Sequence, residues 1–405
     1  MLQVALGWEL YERTHSALAL GLVGLATALP VVILALPAGD LADRMERKRI
    51  LIWAQVAFII AGLALAALSY WKGPVVVIYA VLLGRGAAQA FNNPARQALL
   101  PQLLPANVFG NAVTWASSAF QVAAVVGPGL GGIAIAIEHS ATGVYVISSV
   151  LTAVYLWALI EIRGIAGPQA SDAAPGSAPK PREKMTLDSI AAGMRFVRET
   201  KVILAAITLD LFAVLLGGAT ALLPIFAKDI LHVGPDGLGW LRAAPSVGAL
   251  LIAVTFAHRP PMKRTGATLL FAVAGFGAAT IVFGLSKSFW LSLAMLFVLG
   301  ALDGISMIIR STLVQLRTPD EMRGRVSAVN SVFIDMSNEL GGFESGAVAA
   351  LVGPVTAVVA GGVGTLVVVG SVALAWPQLR QLGPISPEPE EATTKSTKDT
   401  KSIAS

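Results

Sequence analysis

Ionisable side chains set inside long apolar runs are the residues of this chain best placed to do chemistry. The stretch "FIDMSNELGGFESG" carries Asp335, Glu339 and Glu344 in one hydrophobic segment, with Asp335 and Glu339 four residues apart on one helical face. Asp210 interrupts "ILAAITLDLFAVLL", and Asp303 and Arg310 fall seven residues apart in another apolar run, again on one face. In a further run Arg85, Gln89, Asn92 and Asn93 make a single polar stripe. Ionisable groups in hydrocarbon are costly and by default functional. An acid removed from water favours its neutral form, which suits it to carry a proton. Two roles stay open for each residue: a proton or transport pathway, or structural pairing between helices. Glu339, near the middle of its segment, is the first choice for a carrier carboxylate, and Glu344 the second.

The elements that must hold these residues are long helices. The chain has 405 residues, is 55% hydrophobic and only 13% charged, and has mean hydropathy +0.73. Soluble domains average ~25% charged residues, and apolar stretches of ~20 residues mark membrane spans. Such stretches occupy about 16–38, 49–70, 74–95, 110–137 and 141–160, then 200–226, 236–257, 266–286, 288–310, 326–350 and 354–376. The fold class expected is an all-α polytopic membrane protein, because a helix satisfies its backbone polar groups within the segment. An outer-membrane barrel would need short alternating strands instead. Met1–Tyr11 is apolar too, but at ~1.5 Å per residue it makes a stub against a ~30 Å core, a first helix truncated at the amino terminus. No cleavable signal peptide is visible.

The runs divide into two sets. Residues 1–160 make an amino-terminal bundle and 200–380 a carboxy-terminal one. Between them, 161–199 contains the Pro-, Ala- and Ser-rich "GPQASDAAPGSAPKPREK", read as a flexible cytoplasmic linker, and 381–405 read as a disordered cytoplasmic tail. Most of the 29 Lys and Arg fall on the side of the linker, the tail and the Asp43–Arg49 turn. The positive-inside bias puts that side in the cytoplasm, leaving Arg13, Lys72, Lys228 and Lys287 in outer loops. The halves also resemble each other: "RQALLPQLLPANVFGNAVTWASSAF" from Arg96 aligns with "RSTLVQLRTPDEMRGRVSAVNSVF" from Arg310. In the second copy Thr318 is expected to cap a helix whose first residue is Pro319.

One short turn concentrates the charge that the rest of the chain avoids. "GDLADRMERKR", Gly39 to Arg49, places seven charged side chains in eleven residues. Gly39, Asp43, Arg44, Arg47 and Lys48 stand at the offsets of the loop motif of the major facilitator superfamily, which this stretch resembles. Glu46 replaces the motif's second Gly. A generic positive-inside loop would explain the basic residues, anchored to the inner leaflet, but not Gly39 and Asp43. "AAVVGPGLGG" resembles that superfamily's antiporter motif through Gly127, Pro128, Gly131 and Gly132, with Ala123 in place of the first Gly. Tight helix packing by small residues is the alternative reading. The glycines Gly127, Gly129 and Gly132 are not a dinucleotide fingerprint, since no strand precedes them.

"NELGGFESG" and "ALGWELYERTHSALALGLV" narrow the resemblance to the branch of enterobactin exporters and transmembrane secretion effectors, over residues 1 to about 380. The resemblance implies a major facilitator fold of two six-helix bundles in a bacterial inner membrane. It implies proton-coupled export of a siderophore-like or drug-like molecule by alternating access, the basic turn latching the cytoplasmic side. A multidrug or lysophospholipid carrier is the alternative within the class, and a non-transporting scaffold or inactive paralogue the alternative outside it. The expected partners are a small-molecule substrate, protons and the lipid bilayer, with no nucleic acid, and the chain is expected to be a monomer. No enzyme, cofactor or metal site is expected. There are no cysteines, the four histidines His15, His139, His232 and His258 are not spaced as ligands, and neither a P-loop nor G-x-S-x-G occurs.

Overall fold

The structure is a computed structural model describing residues 1–103, 106–162, 187–258 and 264–383. Most of the linker, 163–186, and the tail beyond 383 lie outside the described residues. The described chain is helical without strands. The amino-terminal half holds α1 (Leu2–Thr14), α2 (Ala17–Arg44), α3 (Arg47–Tyr70), α4 (Val75–Leu103), α5 (Ala106–Glu138) and α6 (Thr142–Glu161). After α7 (Leu187–Glu199) come α8 (Lys201–Leu216), α9 (Leu223–Ile225) and α10 (Pro235–Ala257). The half closes with α11 (Thr265–Leu285), α12 (Phe289–Arg317), α13 (Asp320–Val352), α14 (Pro354–Ala375) and the short α15 (Pro377–Arg380). Among the described residues, ten helical segments are long and apolar enough to cross a membrane. Among them α8 and α9 belong to one span, Lys201–Ile230, broken at Gly217–Gly218 and ending in a single π-type turn. α1 has 13 residues. α13 is 33 residues long and is not among these ten.

Local signals set the turns. Ser16 caps α2 by accepting the Ala19 N–H at 3.4 Å, and His15, at φ 47°, ends α1 in the left-handed region. Gly353, at φ 86°, separates α13 from Pro354, which opens α14. α13 starts one residue later than its sequence suggests. Pro319, not Thr318, is the capping residue, and the buried Thr318 hydroxyl has no hydrogen-bond partner. α7 occupies the end of the expected linker. Its apolar residues Leu187, Ile190, Met194 and Val197 recur at helical spacing, and it seats Gly193 against the Arg325 carbonyl and Val329 of α13.

Because successive spans alternate in direction, their turns gather at two ends. The basic end carries the α2–α3, α4–α5, α10–α11 and α12–α13 turns and α7; the opposite end carries the others. Within the halves α2 packs on α4, α3 on α4 and α6, α10 on α12, and α11 on α12 and α14. Large apolar side chains such as Val76, Phe271, Leu351 and Leu374 point outward, as lipid-facing surfaces require.

Two seams join the halves: α2 against α13 and α5 against α10. Both lie toward the opposite end and are made by glycine. A Cβ on Gly346 would stand 2.6 Å from the Gly21 Cα, and one on Gly239 would stand 2.8 Å from the Pro128 carbonyl oxygen. Toward the basic end the same helices separate. Among the described residues, Gly39 of α2 and Gly110 of α5 have no atom within 4 Å of their Cβ positions, and α5 is exposed from Val113 to Phe120. The halves are closed at the opposite end and open at the basic end.

Gly346→Val must push α2 off α13. Overpacking of this kind costs ~1–3 kcal/mol, so the variant's thermal unfolding midpoint in detergent should fall below that of the native chain. Gly110→Ala, with open space around it, should not lower the midpoint. An unchanged midpoint for Gly346→Val would mean that the seam is not where the structure has it.

Candidate transport site

Helix α1 joins the two halves at their closed end, and its residues divide by face. One face clamps it into its own half. Glu9 pairs with Arg13 at 2.7 Å and accepts the Tyr145 hydroxyl at 2.8 Å. Arg13 lies in the helix, not in a loop as its sequence position suggests, and donates to the carbonyls of Leu68, Ser69 and Gly73 at 3.0–3.2 Å. It thereby satisfies the last carbonyls of α3, a favourable place for a cation. The other face reaches across. The Tyr11 hydroxyl donates to the Asp229 carboxylate, and Lys228 meets Glu12 at 3.2 Å while lying 5.8 Å over the Trp8 ring. These contacts bridge the halves directly above the seams.

Deeper in the wall between the halves, Arg242 of α10 donates to Gln3 Oε1 at 2.8 Å and to the Thr220 carbonyl at 3.1 Å. Glu339 of α13 accepts from the Thr27 hydroxyl of α2 at 3.1 Å and lies close to the α2 backbone at Gly24. Arg242 and Glu339 are near enough to attract each other. Oppositely charged groups from the carboxy-terminal half thus face residues of the amino-terminal half across the plane where the halves must part. Inside the carboxy-terminal half, Asp210 of α8 is ion-paired with Arg310 of α12, both buried. A separate apolar groove of about 520 Å³ runs between α5, α10 and α12, with Leu130, Ile133, Trp240, Trp290 and Phe297 in its walls.

The model of the transmembrane secretion effector family matches residues 1–395. The chain belongs to that family. As a transmembrane secretion effector of the major facilitator superfamily, it is a multi-pass membrane transporter. It is similar to the multidrug efflux pump Tap of Mycolicibacterium fortuitum, 28% identical over 94% of this chain and 92% of that one. The enterobactin exporter EntS of Citrobacter koseri is 27% identical over 97% and 91%. These relatives are transporters, not enzymes. The fold is shared with a bacterial homolog of the lysosomal transporter Spinster in an inward-facing, unoccupied conformation, at TM-score 0.69, 16% identity and 95% coverage of both chains. A POT family transporter in complex with 5-aminolevulinic acid matches at TM-score 0.70, 12% identity and 93% coverage of both.

The residues expected from the sequence of this secretion effector are spread over the seam, the amino-terminal half, α13 and the basic turn. Gly132 meets the backbone of α10, and Pro128 offers its carbonyl to Gly239, so the Gly127–Gly132 stretch is part of an inter-half seam. The Arg85 stripe turns mainly into its own half: Arg85 lies 4.9 Å over the Phe58 ring of α3, Asn92 accepts from Gln55, and Gln89 donates to Asn93. Glu344 accepts only a long bond from its neighbour Ser345, 3.4 Å. In the basic turn Lys48 donates to the Ile160 and Ile162 carbonyls at 2.9 and 2.6 Å. It caps the carboxy-terminal end of α6 rather than reaching for lipid, and Arg49 pairs with Glu46 at 2.7 Å. The side chains of Asp43, Arg44 and Asp335 lie outside the described residues. Sequence reasoning missed Tyr11, Glu12, Lys228 and Asp229 as a bridge, because charges near span ends read as loop residues.

If that bridge holds the opposite end shut, Asp229→Asn combined with Glu12→Gln should loosen it. The chain has no cysteine, so Gly342→Cys introduced alone, with its Cβ in ordinary contact with Ala221 at 3.6 Å, reports whether the α2–α13 seam opens. Its reaction with a water-soluble maleimide should rise at least several-fold in the double variant. An unchanged rate would make these contacts incidental to closure.

Proposed function

We propose that this transporter is a proton-driven exporter of small organic molecules in a bacterial inner membrane, working by alternating access with its basic end in the cytoplasm. The arrangement that carries the reading is the pair of seams closed at one end and open at the other, with Arg242 and Glu339 facing the plane between. The positive-inside bias supports the orientation, under which the structure is open to the cytoplasm. Substrate then enters between the halves from the basic end. Release on the far side requires the Tyr11–Asp229 and Glu12–Lys228 contacts to part and the seams to open. The basic turn, with Gly39, Asp43, Arg44, Arg47 and Lys48, is proposed to latch the cytoplasmic side in that second state.

Glu339 is proposed as the residue through which proton and substrate meet. It is the carboxylate that sits at the seam, within reach of both a hydroxyl of the other half and a guanidinium. A proton there weakens its hold on Arg242 and frees that cation for an anionic or hydrogen-bonding substrate. The names of the relatives suggest two substrate classes, molecules like enterobactin and drugs. The apolar groove beside α5 and α10 favours the second, since a membrane-dissolved molecule can approach through it.

The test is efflux from proteoliposomes holding the purified chain under an imposed proton gradient, with enterobactin and a lipophilic cationic dye as the two probes. Glu339→Gln should abolish gradient-driven movement while leaving binding of the same probe measurable. Persistent gradient-driven efflux in a stable Glu339→Gln protein would end the proposal for this residue. Absence of flux for both probes in the native chain would favour a scaffold.

A further inference from the structure

The carboxy-terminal half contains a second polar cluster, set apart from the seam. Ser306 of α12 lies one turn from Arg310 and is 3% exposed, and its hydroxyl has no hydrogen-bond partner. That is unusual for this protein. Thr280, Thr365 and Ser371 each turn the hydroxyl back to the carbonyl four residues earlier, the ordinary solution for a hydroxyl inside a helix. Ser306 is instead part of the wall of a cavity of about 10 Å³ shared with Asp210, Asp303, Val273 and Phe276. A single water needs ~10–15 Å³ and 2–4 polar partners, and Ser306 with the two carboxylates supplies them.

Asp303 stands at the rim of this cavity. It makes no hydrogen bond or ion pair among the described residues, and it begins the exposed stripe Asp303, Met307, Ser311 that runs along α12 toward the basic end. Water can therefore reach one side of its carboxylate while the other side faces the cavity. The charges around it are few. Arg310 is taken by Asp210, and α11 has no titratable residue between Thr265 and Leu285. Arg242 of α10 is held by Gln3 and the Thr220 carbonyl, and Glu339 and Glu344 of α13 are engaged by Thr27 and Ser345. The side chain of Asp335 lies outside the described residues. With Asp210 and Arg310 cancelling, Asp303 is left as a net negative charge at the rim of the cavity. Arg310, two helical turns away, disfavours a metal cation at the same place.

We propose that Asp303, Ser306 and the Asp210–Arg310 pair form a proton-exchange site around one bound water, distinct from Glu339. The inference rests on the proton-driven reading above. Hydronium reaching the site while the opposite end is open transfers its proton to an Asp303 carboxylate oxygen and leaves as water, and the basic end is where that proton is later given up. The acid so formed donates to the cavity water, which Ser306 and Asp210 hold, and the cluster becomes neutral. Release reverses the step. Asp303 is the proton acceptor, Ser306 a positioning residue, and Arg310 is the ion-pair partner of Asp210.

The test uses the full-length chain in lipid and infrared difference spectra between acidic and alkaline pH, which record the carbonyl stretch of a protonated carboxylic acid. The native chain should show a titrating component that is lost in Asp303→Asn and still present in Glu339→Gln. Ser306→Ala, a small change in volume, should keep that component but shift its frequency and its titration midpoint. Retention of the component in Asp303→Asn would overturn the site, as would a Ser306→Ala spectrum identical to the native one. A midpoint that moves when potassium is replaced by sodium would instead indicate a cation site. The two proposals fail separately. Native efflux driven by a proton gradient, together with a component indifferent to Asp303→Asn, removes this site and leaves the exporter. A component lost in Asp303→Asn, with native efflux indifferent to the gradient, leaves a titrating site and removes the proton drive.

Discussion

Helices in hydrocarbon gain nothing from hiding apolar surface, because lipid is as apolar as leucine, so their association rests on close packing and a few polar contacts. That constraint explains why the two halves meet where glycine allows backbone to touch backbone. Gly21 and Gly24 of α2 lie against Gly346 and the Glu339 carbonyl of α13, and Gly132 of α5 lies against Gly239 of α10. Seams of this kind are tight but narrow. They can part as units without unfolding either bundle, which is what a carrier with two alternative openings requires.

The polar contacts divide according to whether they must break. Glu12–Lys228 spans the halves and is well exposed, and such pairs contribute ~0–1 kcal/mol. A contact that weak can open and close on each cycle. Asp210–Arg310 and the Glu9–Arg13–Tyr145 set lie within single halves and are buried. Removing one partner of such a pair leaves an uncompensated buried charge, a large penalty, so these groups keep each bundle rigid while the weak bridge between bundles yields. Charge thus has opposite uses in the two settings, and burial decides which.

The spans were legible because an apolar run of membrane length has few other solutions. The polar residues were legible as types and faces but not as partners. Helical period put Arg85 and Asn92 on one stripe; it could not say that α3 would supply Phe58 and Gln55 to meet them. Composition places Lys48 among the lipid anchors, because nothing local announces that the end of α6 lies beside it. Tyr11 and Asp229 are separated by 218 positions, and only the packed fold brings them together. α7 carried a readable amphipathic pattern that the surrounding linker composition obscured. Ser306 carried no signal at all, since its significance is a missing bond.

The central claim is that the closed seams and the open basic end exchange places. It is tested most directly by spin-label distances at both ends of one chain, which its lack of cysteines makes simple. Val76→Cys with Leu351→Cys reports the opposite end, and Met45→Cys with Leu316→Cys the basic end, all at exposed positions. When a proton gradient or bound substrate shifts the population, the account predicts that the basic-end distance shortens as the opposite-end distance lengthens. Distances that change together, or a basic end that stays open under every condition, would contradict it.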